Sequence, residues 1–435
     1  MPASSGEYSP ISAPLNRRAF LGKSLATAAA FPTLAAFLDA CSSSPTTAAP
    51  SSSAFTVASP ANPVTWPISS TNPAIADNLV PEQNAIINIY TYTSYLDPAA
   101  LKSFEKKYAK YNVKCLITTF ESTSEAIGKI RSGGIQADIY NPSYDQMGRM
   151  VKGDLIQPLN HTYISNISNV WPSFTNPFYD QEWRYSVPYT VYTTGIVWRT
   201  DKVSEDVAAR TNPYDVFWDP QYSKRLSVLD DYRTAMGLVA MRAGWDINTA
   251  DPTQIAGMHE QLTKMNQATS PKVNVTDYQD IPTKVVDMCQ AWSGDAFNMV
   301  SYMPTGQSPD VLRYWFPTDP HNGEVDNDML VLLKMSKYPV MAHLFINHML
   351  DYKVARANFM FTGYQMPQTL ITPSNLVSDG TIPKNLASVV VEESLFAKGQ
   401  RLLELPPAID AQWQAVWSQF KAGARCDGVV FYGSH

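Results

Sequence analysis

The sequence predicts a two-lobed α/β protein, and three observations carry that expectation. A chain of 435 residues is longer than one ordinary core organises, so two domains or lobes with accessory segments are expected. From Ile86 onward, short β-branched and aromatic runs alternate with amphipathic helical runs, the signature of an open α/β sheet. Two stretches, near 198–201 and at 326–333, read as points where the chain crosses to a second unit and returns.

Residues 1–40 stand outside that fold. Asn16-Arg17-Arg18-Ala19-Phe20-Leu21-Gly22-Lys23 places two arginines ahead of an Ala-rich apolar run, 24–38, that is modest for a membrane span and resembles a twin-arginine export signal. Leu38-Asp39-Ala40-Cys41 then resembles a lipoprotein cleavage box, with Cys41 as the lipid-bearing first residue of the mature chain; Asp39 departs from the small or apolar residue usual there. The competing reading, a buried cysteine in an ordinary helix, fits poorly because Ser42-Ser43-Ser44-Pro45 follows at once. Residues 41–83 are expected to form a flexible tether and then, from about 59, an irregular surface arm rich in Pro, Asn and Ser. The chain is therefore expected to be exported and held by lipid at the outer face of the cytoplasmic membrane, or to be periplasmic if the anchor is absent.

The formal charge of −6 becomes −7 beyond residue 40, once three leader cations and two leader anions are set aside. That balance disfavours nucleic acid and favours cations as partners. The sequence holds no basic stripe, zinc-type CxxC pair or Walker-type loop. Three further cysteines are Cys115, Cys289 and Cys426. Export makes Cys289 with Cys426 the first pair to consider for a disulfide, with ordinary burial at least as good a reading.

The globular part begins near 84. Ile86, Ile87, Ile89 and Tyr90 make a first strand that runs into Tyr92-Thr93-Ser94-Tyr95, and Asp97-Pro98 opens a helix whose apolar stripe is Leu101, Phe104 and Tyr108. A second strand spans 113–120, and Ser122 with Glu125 resembles a capping box for a helix that buries Ile127 and Ile130. Asp138-Ile139-Tyr140 is a third strand, ending in Asn141-Pro142-Ser143-Tyr144-Asp145 before a helix with Met147 and Met150. Residues 186–199 are extended chain at the far edge of the first lobe.

A fresh α/β unit follows. Strand 226–229 ends in Asp230-Asp231 before a helix through Ala235, Leu238, Val239 and Met241, and Asp251-Pro252 caps another whose stripe is Ile255, Met258, Leu262 and Met265. Strand 285–292 delivers Trp292 ahead of Ser293-Gly294-Asp295. The return starts at 314–317, and Asp326-Asn327-Asp328 precede the apolar run 329–333. Helices at 340–350 and 352–361 lead to the turn Thr362-Gly363-Tyr364-Gln365-Met366-Pro367. The mainly helical tail ends at 411–421, with Trp413, Val416, Trp417 and Phe420 on one face.

Open α/β sheets take ligands beyond the carboxyl ends of their strands, which singles out Tyr92, Tyr95, Ser143, Asp145, Asp231 and Trp292. Each has a bland counterpart. The two tyrosines suit packing on the next loop equally well, Asp145 and Asp231 are placed to cap helices, and a tryptophan more commonly ends in a core.

In order and spacing, these pieces resemble the extracytoplasmic solute-binding proteins of polyamine importers, the spermidine/putrescine-binding group, over roughly 86–423. The resemblance is sharpest at 88–98. It is supported by Phe120-Glu121-Ser122, 138–150, Leu155-Ile156-Gln157, Ser186-Val187-Pro188-Tyr189, Trp218-Asp219-Pro220, Asp230-Asp231, Trp292-Ser293-Gly294, 363–367 and Lys421-Ala422-Gly423. It implies a type II periplasmic-binding-protein-like fold, with lobes joined by crossover strands around a central ligand cleft. With the crossings placed as above, lobe 1 is 84–198 plus 329–385 and lobe 2 is 199–328 plus 386–435.

The resemblance also implies a ligand site of Tyr92, Tyr95, Ser143, Asp231, Trp292, Asp328 and Tyr364, in which rings box a linear amine and carboxylates fix its ammonium groups. The departures are acidic. Asp145 stands where a Tyr is usual, Asp326 replaces a ring, and Thr234 replaces the Glu of spermidine binders. The family's late Gln has no placed counterpart; Glu404 is nearby but unaligned. The pocket thus keeps its acidic character with its charges redistributed, and Asp145 and Asp326 join the candidate set.

The expected function is the substrate-binding component of an ABC importer. It would capture a polyamine or related organic cation as a monomer and deliver it to a membrane permease, without cofactor, metal or catalysis. Six histidines are scattered away from the strand-end motifs, and no nucleophile–base–orienter set is recognisable. One alternative is a receptor for a sugar, an amino-acid derivative or an iron chelate, since Tyr92, Tyr95, Tyr364 and Asp231 imitate an Fe(III) ligand set. A secreted glycoside hydrolase using Asp231 and Asp328 is a more distant one. Strand-end aromatics and acids weigh against a purely structural envelope protein.

Overall fold

Among the described residues, ten strands form one sheet: β1 (Ile86–Tyr92), β2 (Lys114–Phe120), β3 (Ile139–Tyr140), β4 (Ile156–Gln157), β5 (Ser186–Arg199), β6 (Leu226–Leu229), β7 (Lys272–Asn274), β8 (Met288–Trp292), β9 (Leu312–Trp315) and β10 (Glu324–Leu333). The structure is a computed structural model that describes residues 57–120, 123–174, 176–319 and 322–423. Arg17, Arg18, Cys41, Ser122 and Cys426, to which the sequence assigns signal, capping or disulfide roles, lie outside the described residues.

The order along the sheet is β2-β1-β3-β10-β5-β8-β6-β7, with β4 on β10 and β9 on β5. The strands β2, β1 and β3 are mutually parallel, and so are β8, β6 and β7. Between these halves run β10 and β5, antiparallel to each other and to their outer neighbours. Two parallel α/β halves are therefore joined by two long crossover strands, as the type II expectation requires. Every residue of β10 is buried, as are all but one of β5, because helices and loops cover both faces.

Alternation along β1 shows how sequence selects the faces. Ile87 and Ile89 enter one core with Phe104, Phe345 and Phe359, while Tyr90 enters the core on the opposite face with Phe120, Tyr140 and Met329. A third core lies in the other half, where Ile196, Trp198, Val239, Leu262, Trp413 and Phe420 pack together. The caps follow the sequence pattern. Asp97 accepts from the N–H of Ala99 at the start of Pro98–Lys107, and Asp251 accepts from Thr253 at the start of Pro252–Ala268.

Several expectations shift. The arm after Ser59 is irregular but anchored to the body: Trp66 is buried and donates from Nε1 to the Tyr179 carbonyl at 2.7 Å. Farther along, the Glu82 carboxylate accepts from the N–H groups of Val340 (3.0 Å) and Met341 (2.8 Å), capping a helix whose own N-cap, Tyr338, supplies no side-chain bond. The strand β10 begins at Glu324, not at the apolar run 329–333, and β8 begins at Met288, with Val285 exposed. Cys289 is a buried free thiol. No helix among the described residues is long and apolar enough to cross a membrane.

Candidate ligand-binding site

An irregularity in the crossover pair builds the centre of the site. Asp328 of β10 lies opposite Thr190 of β5, but the next residue, Met329, lies opposite Pro188, so Tyr189 is an extra residue on β5. Pro188 has no N–H to offer the ladder; the Met329 carbonyl opposite accepts from Asn141 Nδ2 at 3.2 Å, and the Met329 N–H donates to the carbonyl of Pro142 at 2.9 Å. Bulges of this kind re-aim side chains. Here the Tyr189 hydroxyl donates to the Tyr95 carbonyl (2.6 Å) and accepts from Asn358 Nδ2 (3.0 Å), which fixes the loop beyond β1.

That loop delivers Tyr95 to Asp328. The Tyr95 hydroxyl donates to Asp328 Oδ2 at 2.7 Å, so the Thr190 hydroxyl, 2.6 Å away, is left to donate to Tyr95. Ser143 donates to Asp328 Oδ1 at 2.7 Å, and the Tyr192 hydroxyl reaches the same oxygen at 3.4 Å. Asp328 is only 4% exposed; burial pushes its carboxyl up, and these three hydroxyls pull it down. All its hydrogen-bond partners are neutral, so its charge has no compensating cation among them.

Rings surround this acid. Tyr95 meets Tyr92 at 5.6 Å between ring centroids and Tyr364 at 5.0 Å; Tyr192 meets Tyr364 at 5.8 Å and Trp292 at 6.5 Å. The series runs from the end of β1 to the end of β8, linking the two halves of the sheet. Two glycines seat Tyr364. Gly363 ends the helix Tyr352–Thr362 at φ 79°, where a Cβ would stand 2.2 Å from the Gly294 carbonyl, and a Cβ on Gly294 would come within 2.6 Å of the Tyr364 ring.

The remaining candidates are held less directly. Asp231 caps the helix Tyr232–Ala243 by accepting from the Thr234 N–H at 2.9 Å, while Asp230 pairs with Lys421 at 2.8 Å. The Asp231 charge also contributes, after burial, Asp328 and Tyr140, to raising the Tyr92 phenol. Asp145 is not the cap that its position suggested: Ser143 takes the cap position of the short helix Tyr144–Gln146, and Asp145 lies within the turn. Asp326 accepts from the Tyr144 hydroxyl at 2.6 Å. Glu404 is engaged by Arg149 at 3.0 Å.

Sequence reasoning missed three participants: Glu324, Tyr192 and Arg401. Glu324, Asp326 and Asp328 occupy alternate positions of β10, opposite Thr194, Tyr192 and Thr190 of β5, so three acids face a row of hydroxyls. Glu324 accepts from Thr194 at 2.7 Å and from Thr234 at 3.2 Å. It thus meets Thr234 in the first turn of the helix that Asp231 caps. Period-two alternation through β5 and β10 was the available signal for Tyr192 and Glu324; nothing local signalled Arg401.

Burial pushes Glu324 up to about 8, Asp145 to about 7 and Asp326 to about 6. Unfolded carboxyls titrate near pH 4, so between about pH 4 and 8 the folded state holds more protons than the unfolded one. Stability of the ligand-free protein should therefore fall as pH rises through that window and level off above it. Thermal melts across the range check this, and a melting temperature that climbs steadily from pH 5 to 8 would contradict it.

Residues 99–379 match the family described as bacterial extracellular solute-binding protein. The chain belongs to that family. This solute-binding protein therefore works outside the cytoplasm by capture, not catalysis. It is similar to spermidine/putrescine-binding periplasmic protein 1 of Haemophilus influenzae, at 24% identity over 305 residues that cover 70% of this chain and 79% of that protein. It is also similar to the spermidine/putrescine-binding periplasmic protein of Salmonella typhimurium, at 25% identity over 341 residues, 78% and 92% of the two chains. Among solved structures, the substrate-binding protein of a spermidine/putrescine ABC transporter from Streptococcus pneumoniae superposes with a TM-score of 0.61 at 25% identity, covering 78% of this chain and 100% of that one.

Proposed function

We propose that this solute-binding protein captures a polyamine or related organic cation between two lobes and delivers it to the permease of an ABC importer. The observation that carries the reading is Asp328, a buried carboxylate bonded only to hydroxyls and ringed by Tyr95, Tyr192 and Tyr364. A desolvated ammonium beside it would gain a charge-assisted hydrogen bond and cation–π contacts of roughly 0.5–2 kcal/mol each. Tyr92, Tyr95, Ser143, Trp292 and Tyr364 line the site in this reading, with Asp145, Asp231, Asp326 and Asp328 setting its charge. The lobes are 84–198 with 329–385 and 199–328 with 386–435; closure favours ligand through its greater affinity for the closed state.

Calorimetric titration of the folded, leader-free protein with putrescine, spermidine, spermine and neutral analogues tests the reading. Saturable one-to-one binding of amines and none of the analogues is expected; indifference to charge would overturn it. The ligands for which the relatives are named, spermidine and putrescine, support the same chemistry. An iron site is less well supported, because the Tyr95 hydroxyl is already committed to Asp328 and Thr190.

In the same reading the protein acts as a monomer, is exported through Arg17-Arg18 and is anchored by lipid on Cys41. Cys41→Ala should release it from the membrane fraction, and retention of processed Cys41→Ala protein on the membrane would contradict the anchor.

A further inference from the structure

The chain that follows the helix Glu393–Phe396 runs beside the start of β10. The Gln400 N–H donates to the Gly323 carbonyl at 2.8 Å, the Val325 N–H to the Gln400 carbonyl at 2.9 Å, and the Leu402 N–H reaches Asp326 Oδ1 at 3.3 Å. This places the Arg401 side chain, 8% exposed, against Asp326, 4% exposed. Its guanidinium carbon lies 4.1 Å from the Phe396 ring centroid, 4.6 Å from Tyr144 and 5.6 Å from Phe178. Its Nε stands 3.6 Å from Asp326 Oδ1, and a terminal nitrogen donates to Asn327 Oδ1.

Aromatic faces around a cation with a buried carboxylate behind it are what an organic amine would be offered at Asp328. The two arrangements are adjacent and in line. Asp326 and Asp328 share one face of β10, roughly 7 Å apart along the strand. Ser143, bonded to Asp328, is followed at once by Tyr144, bonded to Asp326. At Asp328 the hydrogen-bond partners are hydroxyls; at Asp326 the protein supplies its own cation.

We infer that Arg401 is a specificity-determining residue: it fills the second of two in-line cation boxes, so that a ligand anchored at Asp328 cannot place another ammonium at Asp326. An amine extended in that direction would meet a like charge in an occupied aromatic box, and chain length beyond a diamine would add little affinity. This rests on the amine reading of the Asp328 site and narrows its ligand class to short amines.

Two measurements test it. In the wild-type protein, calorimetry should give affinities for putrescine, spermidine and spermine within about threefold of one another, whereas a second box open to ligand would favour the longer amines by about tenfold or more, the worth of one desolvated cation–π contact. In Arg401→Ala, spermidine should gain about tenfold relative to putrescine. Guanidinium ion at millimolar concentration should raise the melting temperature of Arg401→Ala but not of the wild type. Tight wild-type preference for spermine overturns the inference, as does a folded Arg401→Ala with unchanged preference and no response to guanidinium. If Arg401→Ala fails to fold, the wild-type series decides alone. If the wild type binds no amine, the proposed function fails, and the guanidinium response still tests whether Arg401 fills a cation box.

Discussion

Replacing Asp328 by asparagine is expected to weaken binding of an organic amine by roughly 2–5 kcal/mol while leaving the fold intact. The amide matches the carboxylate in size, and its oxygen can still accept from Ser143 or Tyr95, the two short bonds of the native residue. What it removes is the charge. An ammonium drawn into the rings of Tyr95, Tyr192 and Tyr364 would then lose its counter-ion while remaining desolvated, the circumstance in which truncating one partner of a charge pair costs most. The ligand-free protein should not suffer in the same way, because a buried carboxylate raised by burial is itself a cost to the native state. Calorimetry for affinity and urea denaturation for stability separate the two effects. Affinity unchanged in a folded Asp328→Asn protein would remove Asp328 from the centre of the site.

Trp413→Ala should destabilise the protein by about 3–5 kcal/mol, the range for deleting a large aromatic ring from a core. Trp413 has no exposed surface and joins the core formed by Val239, Leu262 and Phe420. Its indole also donates to the Thr249 carbonyl at 3.1 Å, and the Arg233 guanidinium lies 5.1 Å over its ring. Arg233 is tied to the carbonyl of Leu403 (2.8 Å), two residues beyond Arg401, and to Asn248 (2.7 Å), and its charge lowers the Asp145 carboxyl against the effect of burial. The cavity should therefore weaken amine binding as well, through loss of the support behind Asp145. Denaturation followed by far-ultraviolet circular dichroism checks the first effect, and a loss below about 1 kcal/mol would show that the ring contributes little to the docking of the helix Pro407–Gly423.

Much of the fold was legible because its local signals agree with its tertiary demands. Asp97-Pro98 and Asp251-Pro252 cap and start helices as their chemistry dictates, and β5 and β6 occupy the stretches that the sequence marked as extended. The start of β10 was hidden because acids are poor strand formers. Glu324, Asp326 and Asp328 are carried into the sheet by pairing with β5 on one side, a long-range condition that no window of residues displays. The same cause hid part of the site. Tyr95, Ser143 and Asp328 were candidates from the sequence, and hydrogen bonds join them in the structure, yet the loop that carries Tyr95 is held by the displaced Tyr189. Asp145 misled as a cap because Ser143, two residues earlier, starts the turn. Arg401 was out of reach of sequence reasoning, since its role comes from a segment paired to β10 across more than seventy residues.

The central claim is that Asp328 and its rings hold the charged end of an amine. A crystal structure of the protein with putrescine tests it most directly. A ligand nitrogen is expected at hydrogen-bonding distance from the Asp328 carboxylate, between the rings of Tyr95 and Tyr192, with the carbon chain directed away from Arg401. A ligand bound elsewhere, or bound in the cleft with its nitrogens turned from Asp328, would contradict it.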